Sequence, residues 1–242
     1  MKVLVFGDIH GLVGRADIPA IEVVVDIVKR TDADHILQVG DMGGYRSFSR
    51  PVHWIFGNND SISLMKACKA GNPPVENLIH IPTGEAVSLA SHGERIAVSG
   101  LNGAYDQLYY DFKREDLDDL GYFTKEESEQ CLELRGIDIF LAHGCPAGLG
   151  FGREPDYGNP AIRLILDTVK PRYMFCGHGH YFREAEHCGS RIYSLDLASR
   201  EHYILDTTTG DLETIETDAS HLPDELGVTY NLTRTCRDQV EN

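Results

Sequence analysis

The chain has 242 residues, of which 42% are hydrophobic and 25% charged, an ordinary globular usage that excludes disorder as its global description. Its 38 acidic residues against 22 basic ones give a net charge of −16, so its field repels polyanions and nucleic acid is a partner only through a local basic patch. No apolar run reaches the roughly 18 residues that a helical membrane span needs, so no membrane partner is expected, and the length suits one large α/β or sandwich-like domain.

The chain opens with Met1 to Gly7, a short buried strand ending in glycine rather than an export signal, and a cytoplasmic location is the expectation. Further strands are predicted at Ile36 to Val39, Val52 to Phe56, Ile96 to Ser99, Ile137 to Ala142, Tyr173 to Cys176, Arg191 to Leu195 and Tyr203 to Asp206. Between them Pro19 to Lys29, Ser61 to Ala70, Thr124 to Arg135 and Asn159 to Val169 carry helical periodicity. Thr124 and Glu127 form a capping-box pattern, and Pro19 suits a first helical turn.

After Lys170 strand follows strand, which predicts a more antiparallel sheet from the second half and two packed sheets with helices outside. Residues 1–216 form the expected domain, and 217–242 read as a polar, acidic tail without chemistry. The cysteines Cys68, Cys131, Cys145, Cys176, Cys188 and Cys236 include no Cys-x-x-Cys pair and are expected as free thiols.

Five motifs stand at predicted strand ends, where open sheets gather their ligand sites. Gly7-Asp8-Ile9-His10 offers a carboxylate and an imidazole, although taken alone it reads first as a turn-forming Asp. Gly40-Asp41 places a second carboxylate at a like position, and Gly57-Asn58-Asn59-Asp60 adds an amide oxygen that can coordinate a metal. His143 ends an apolar strand, and Gly177-His178-Gly179-His180 sets two imidazoles between glycines.

Together Asp8, His10, Asp41, Asn58, His143, His178 and His180 supply more N and O ligands than one cation of four to six coordination can use. Two divalent metal ions are expected, Mn first, with Fe, Zn, Ni or Mg as alternatives. Ions roughly 3.5–4 Å apart need a bridging ligand such as Asp41, and a hydroxide bridging them is an adequate nucleophile.

As an ordered set these motifs resemble those of the calcineurin-like metallophosphoesterases. The resemblance implies a two-sheet β-sandwich flanked by helices, an α/β fold of four layers, that hydrolyses a phosphate ester. It further implies Asp8, His10 and His180 on one metal, Asn58, His143 and His178 on the other, and Asp41 between them. Asn59, Asp60 and Arg46 are the candidate catalytic residues. The family usually carries histidine at the position of Asn59, and asparagine donates a hydrogen bond but cannot shuttle a proton near pH 7.

Segments 51–60, 93–105 and 137–146 are similar to the RNA lariat-debranching branch, in which cysteine typically stands at the position of Asp8. A debranching-like nuclease would need basic side chains at the phosphate, for which Arg46 and Arg50 are candidates. A scaffold role is the other alternative, since the family includes a retromer-type subunit with a degraded site. The sequence assigns no oligomeric state.

Overall fold

The computed structural model describes residues 1–73, 75–117, 121–151 and 158–226. Strand β1 (Lys2–Phe6) shows why this chain builds more than one core. Its side chains alternate between faces, so Val3 and Val5 enter one apolar cluster while Leu4 and Phe6 enter another, all of them fully buried. A strand covered on both faces reads as a continuous apolar run, which is how it stands out in the sequence.

A two-strand ribbon, β2 (Leu12–Val13) with β3 (Ile18–Pro19), leads into helix α1 (Ala20–Arg30). The chain returns as β4 (His35–Gln38), parallel to β1, and continues the parallel sheet through β5 (Val52–Trp54), helix α2 (Ile62–Lys69) and β6 (Leu78–His80). Val23, Val24, Ile27 and Val28 of α1 and Leu64 and Met65 of α2 pack on the outer face of this sheet with Leu4, Phe6, Trp54 and Phe56.

The second sheet starts with the antiparallel pair β7 (Val87–Ser91) and β8 (Glu94–Leu101). A one-turn helix α3 (Gln107–Tyr110) and helix α4 (Lys125–Gln130) precede β9 (Ile139–Ala142), which runs parallel to β8. Helix α5 (Pro160–Val169) crosses back to β10 (Tyr173–Cys176), parallel to β9. Ile162, Ile165 and Leu166 of α5 cover Phe140, Met174 and Ile192 on the outer face.

The helical starts at Thr124 and Asn159 are chemically closed. Thr124 and Glu127 exchange side-chain and backbone hydrogen bonds, and Asn159 Oδ1 accepts from the amides of Ala161 and Ile162 at 2.8 and 3.1 Å. The helix expected through Arg135 ends at Gln130, and Cys131–Glu133 tighten into a 3₁₀ turn.

The strands after Lys170 pair mostly antiparallel, as expected, but they are divided between the two sheets. β11 (Arg183–His187) and β12 (Ser190–Ser194) form a hairpin, yet β12 lies parallel against β10 in the second sheet. The chain then leaves that sheet, and β13 (Glu201–Asp206) and β14 (Leu212–Glu216) extend the first one, with β13 antiparallel to β1. The orders are β14-β13-β1-β4-β5-β6 and β11-β12-β10-β9-β8-β7.

Val3, Val5, Leu37, Val39, Ile139, Leu141, Phe175 and Leu205 fill the space between the sheets, giving four layers from helix to helix. Beyond β14 the chain stays packed, with Ala219 buried and Leu222 and Leu226 against the first outer core. The rest of the expected tail, 227–242, lies outside the described residues, as does Cys236. The described cysteines are free thiols. Among the described residues no helix is long and apolar enough to cross a membrane.

Candidate metal centre

Parallel strands of both sheets deliver their following loops to one end of the sandwich. Asp8 follows β1, Asp41 follows β4, His143 follows β9 and His178 follows β10. Asp8 and Asp41 are 1% exposed and His143 is fully buried, so these three make the floor. The side chains of His10 and His180 remain 35% and 38% exposed, and His178 and Asn59 also reach solvent, so the imidazoles and the amide make the rim. A ligand therefore enters past neutral or weakly basic groups toward two carboxylates.

Two donor clusters meet here, each with atoms lying within 4.8 Å of one another: Asp8, His10 and His180 in one, Asp41, His143 and His178 in the other. In the first, His180 Nε2 stands 2.9 Å from Asp8 Oδ2 and 3.2 Å from His10 Nε2. In the second, His143 Nε2 stands 3.2 Å from His178 Nδ1, 3.3 Å from Asp41 Oδ2 and 3.1 Å from Asn58 Oδ1. His143 Nδ1 comes within 4.0 Å of Asp8 Oδ1, so the clusters adjoin. Both draw on the two sheets, the first through Asp8 and His10 against His180, the second through Asp41 against His143 and His178.

The backbone is bent to bring these groups together. Asp41, His178 and His180 have φ of +58°, +63° and +55°, a left-handed conformation that non-glycine residues rarely enter and that collects at functional sites. Asp60, buried at 5% exposure, holds the Asp41 turn: its oxygens accept from the amides of Asp41, Met42 and Gly57 at 2.9, 2.9 and 2.7 Å and from Tyr45 Oη at 2.8 Å. A Cβ at Gly57 would fall 2.2 Å from Asp41 Oδ1, and one at Gly177 would fall 2.3 Å from Asp8 Oδ1, so the carboxylates occupy space that only glycine leaves.

The electrostatics are those of a cation trap. Burial alone would raise the Asp8 carboxyl, but the charge of His143 and the bonds from His10, His180 and the His178 amide hold it well below the usual range. Asp41 is lowered likewise, against its burial, by His143 and by both N–H groups of Asn59. Burial would push His143 down, yet Asp8 and Asp41 raise it to about 9. A divalent cation held by this imidazole and these carboxylates would compete with that proton. An all N and O donor set of this kind fits Mn, Fe or Zn.

Every residue expected as a metal ligand falls within this constellation, whereas the expected catalytic residues divide. Asn59 is at the rim, where its amide N–H and side-chain Nδ2 both donate to Asp41 at 2.8 and 2.7 Å. Asp60 has its oxygens turned to the backbone behind Asp41 and acts on the site only through that turn. Arg46 is turned away to Glu22 of α1, Nη2 to Oε1 at 2.8 Å, and to the carbonyl of Tyr45. Arg50 donates to the carbonyls of Thr31, Ala33 and Asp34, which precede β4 and so lie at its opposite end from Asp41.

Supporting residues escaped the sequence reading. Gln38 is fully buried and bonds the Gly40 backbone from both ends of its amide, fixing the loop before Asp41. Asn102 Oδ1 accepts from the Phe56 amide at 2.7 Å, and His80 stacks on the Phe56 ring at 4.1 Å, together steadying the approach to Asn58. A buried-strand Gln directly before Val-Gly-Asp was the one legible signal among them.

Residues 1–194 match the model of the calcineurin-like phosphoesterase superfamily domain. The lariat debranching enzyme of Schizosaccharomyces pombe is 28% identical over 159 residues, covering 54% of this chain and 33% of that enzyme. The chain thus matches about a third of the length of that relative. TT1561 of Thermus thermophilus superposes with a TM-score of 0.63 at 17% identity, over 89% of this chain and 98% of the other. GAP50, described as the anchor in the inner membrane complex of Plasmodium, superposes with a TM-score of 0.53 at 9% identity, over 96% and 94% of the two chains. With its family-model match spanning most of its length, the chain belongs to the calcineurin-like phosphoesterase superfamily.

Proposed function

We propose that the chain is a two-metal phosphoesterase in which Asp8, His10 and His180 hold one divalent cation, Asn58, His143 and His178 hold the other, and Asp41 serves both. The observation that carries this reading is the pair of adjoining donor clusters, with Asp8 of one and His143 of the other 4.0 Å apart. When bound, such a pair supplies Lewis acidity toward phosphoryl oxygens and a hydrolytic nucleophile at neutral pH.

The chain's own groups prepare for that chemistry. The Val39 carbonyl, 3.0 Å from His143 Nδ1, accepts a hydrogen bond from Nδ1–H of the neutral ring and leaves the Nε2 lone pair facing Asp41 and Asn58. Asn59 holds Asp41 with two hydrogen bonds and presents an amide at the rim, so it can orient a substrate oxygen but cannot deliver a proton to a departing one. Substrates whose leaving groups need little protonation, such as aryl esters, suit the site best. Similarity to an enzyme named for lariat debranching favours a phosphodiester over a monoester. The engagement of Arg46 and Arg50 elsewhere, with the net charge of −16, weighs against a long nucleic-acid substrate.

The test is to strip the full chain with a chelator, reload it with Mn²⁺, and follow an aryl phosphodiester and an aryl phosphomonoester. Metal-dependent turnover, faster on the diester, is expected. Failure to hydrolyse either ester with metal bound would leave the scaffold reading standing.

A further inference from the structure

A third donor cluster lies apart from the paired centre, where α5 meets the β11–β12 hairpin: Asp167, His187 and Cys188 have donor atoms within 4.8 Å of one another. Three contacts converge on one atom. Asp167 Oδ1 is 2.6 Å, Arg163 Nη2 3.0 Å and Cys188 Sγ 3.2 Å from His187 Nε2. A carboxylate only accepts and a guanidinium only donates, so this nitrogen cannot satisfy both neighbours in any one protonation state. A catalytic Cys-His-Asp arrangement is excluded by the same geometry, because there the acid and the thiol address opposite ring nitrogens.

We propose that Asp167, His187 and Cys188 form a mononuclear, thiolate-containing site for a borderline-soft divalent cation such as Zn²⁺. Imidazole lone pair, carboxylate and thiolate all point at one cation without conflict, and an exogenous water completes a tetrahedral set. Tetrahedral bonds of about 2.0–2.3 Å set donors about 3.3–3.8 Å apart, so these groups need to open by only several tenths of an ångström to about one. They can do so, since Cys188 is exposed and the Asp167 and His187 side chains are 40% and 22% exposed.

A cation here would have to displace Arg163 Nη2, which now stands 3.0 Å from His187 Nε2. Asp167 lies in the last turn of α5, where the helix dipole disfavours an anion, and Arg163 one turn earlier is the charge that now offsets it. Arg163 Nε donates to both Asp167 oxygens at 3.1 Å; with a cation on Oδ1 it would give up that oxygen and keep Oδ2, while Nη1 keeps the Ala147 carbonyl at 3.0 Å and so fixes the carboxylate from outside. Cys188 has a φ of +51° in the two-residue turn, a position where Asn, Asp or Gly is the usual choice. The cation would clip α5 to a hairpin whose first strand begins three residues after His180.

The proposed ligands of the paired centre include no thiolate, which gives this site a signature of its own. Full-length protein loaded with Co²⁺ is expected to show a near-ultraviolet thiolate-to-cobalt charge-transfer band that Cys188→Ser and His187→Ala abolish and Cys68→Ser retains. Zinc analysis is expected to find one ion fewer in Cys188→Ser than in wild type. Asp167→Asn, which leaves both strands untouched, is expected to weaken the band at limiting Co²⁺ and guards against a folding defect in the other variants. Absence of the band in Co²⁺-saturated wild type, or its persistence in Cys188→Ser, overturns the proposal. Neither result bears on the paired centre, whose failure would appear as lost hydrolysis with this band intact.

Discussion

Asp41 Oδ2 lies 3.3 Å from His143 Nε2 and 2.7 Å from the Nδ2 of Asn59, so one carboxylate oxygen joins the floor of the site to its rim. Asp41→Asn keeps the shape but removes the charge that the second cluster is built around. Metal content and turnover are expected to fall together, by more than the about 10–100-fold that loss of an outer partner of a metal ligand costs. Wild-type metal content in the variant, measured by elemental analysis after Mn²⁺ loading, would remove Asp41 from the shared position.

Asp60 gives a separable effect, because it supports the site without facing it. Asp60→Asn turns an amide donor toward backbone N–H groups, and the buried mismatch is expected to cost about 1–3 kcal/mol in denaturant unfolding of the metal-free protein. Tyr45→Phe removes one of the bonds to Asp60 and is expected to cost about 1 kcal/mol. Equal stability of Asp60→Asn and wild type would show that another group holds the Asp41 turn.

Metal-free protein should lose a stabilising contribution as the pH rises. His143 is raised in the fold from its ordinary 6.5 to about 9. Its contribution is therefore complete below about 6.5 and disappears as the pH climbs through 9. Asp8 and Asp41 act with the opposite sign, since their folded values are depressed: their contribution is present above the ordinary 3.8 and is lost in acid. Mn²⁺ affinity is expected to increase with pH over the interval in which chelated protein weakens, because the cation competes with the His143 proton. Calorimetry at several pH values checks both slopes, and parallel slopes would contradict the exchange.

Asn59→His introduces a group that can carry a proton. Its expected signature is selective: faster hydrolysis of an alkyl diester, up to the about 10²–10⁴-fold typical of acid catalysis, with little change for an aryl diester. A uniform change in both would show that only the grip on Asp41 was altered.

Gly177→Ala tests how closely the chain packs against its own carboxylate. The added methyl would fall 2.3 Å from Asp8 Oδ1 and 2.9 Å from Val39 Cγ2, so loss of about 1–3 kcal/mol and of metal at the first cluster is expected. Unchanged metal binding would mean that the loop can retreat without disturbing Asp8.

The sequence showed most where burial is two-sided. β1, β4, β9 and β10 are covered on both faces and read as apolar runs, and their ends announced Asp8, Asp41, His143 and His178. β11, as Arg-Glu-Ala-Glu-His, is a partly exposed edge strand whose composition resembles a loop, and β7 and β14 are similar. Nor could local pattern reveal that the chain changes sheets between β12 and β13, because both are ordinary buried strands and their partners lie far along the chain. Arg46 and Asp60 were misplaced for a related reason: nearness to a motif in sequence does not say which way a side chain turns. Glu22 and the Asp41 backbone, which decide it, come from other elements.

Because each donor cluster takes ligands from both sheets, neither sheet alone carries a complete set. A half-assembled chain, with one sheet formed and the other loose, would compete poorly for a cation that the finished sandwich binds well. Metal would then act as a fastener on the completed product: it would slow the parting of the sheets while doing little to hasten their meeting, so that occupancy lengthens the lifetime of the native chain. Pulled apart mechanically or attacked by a protease, the loaded protein should yield late and as one piece.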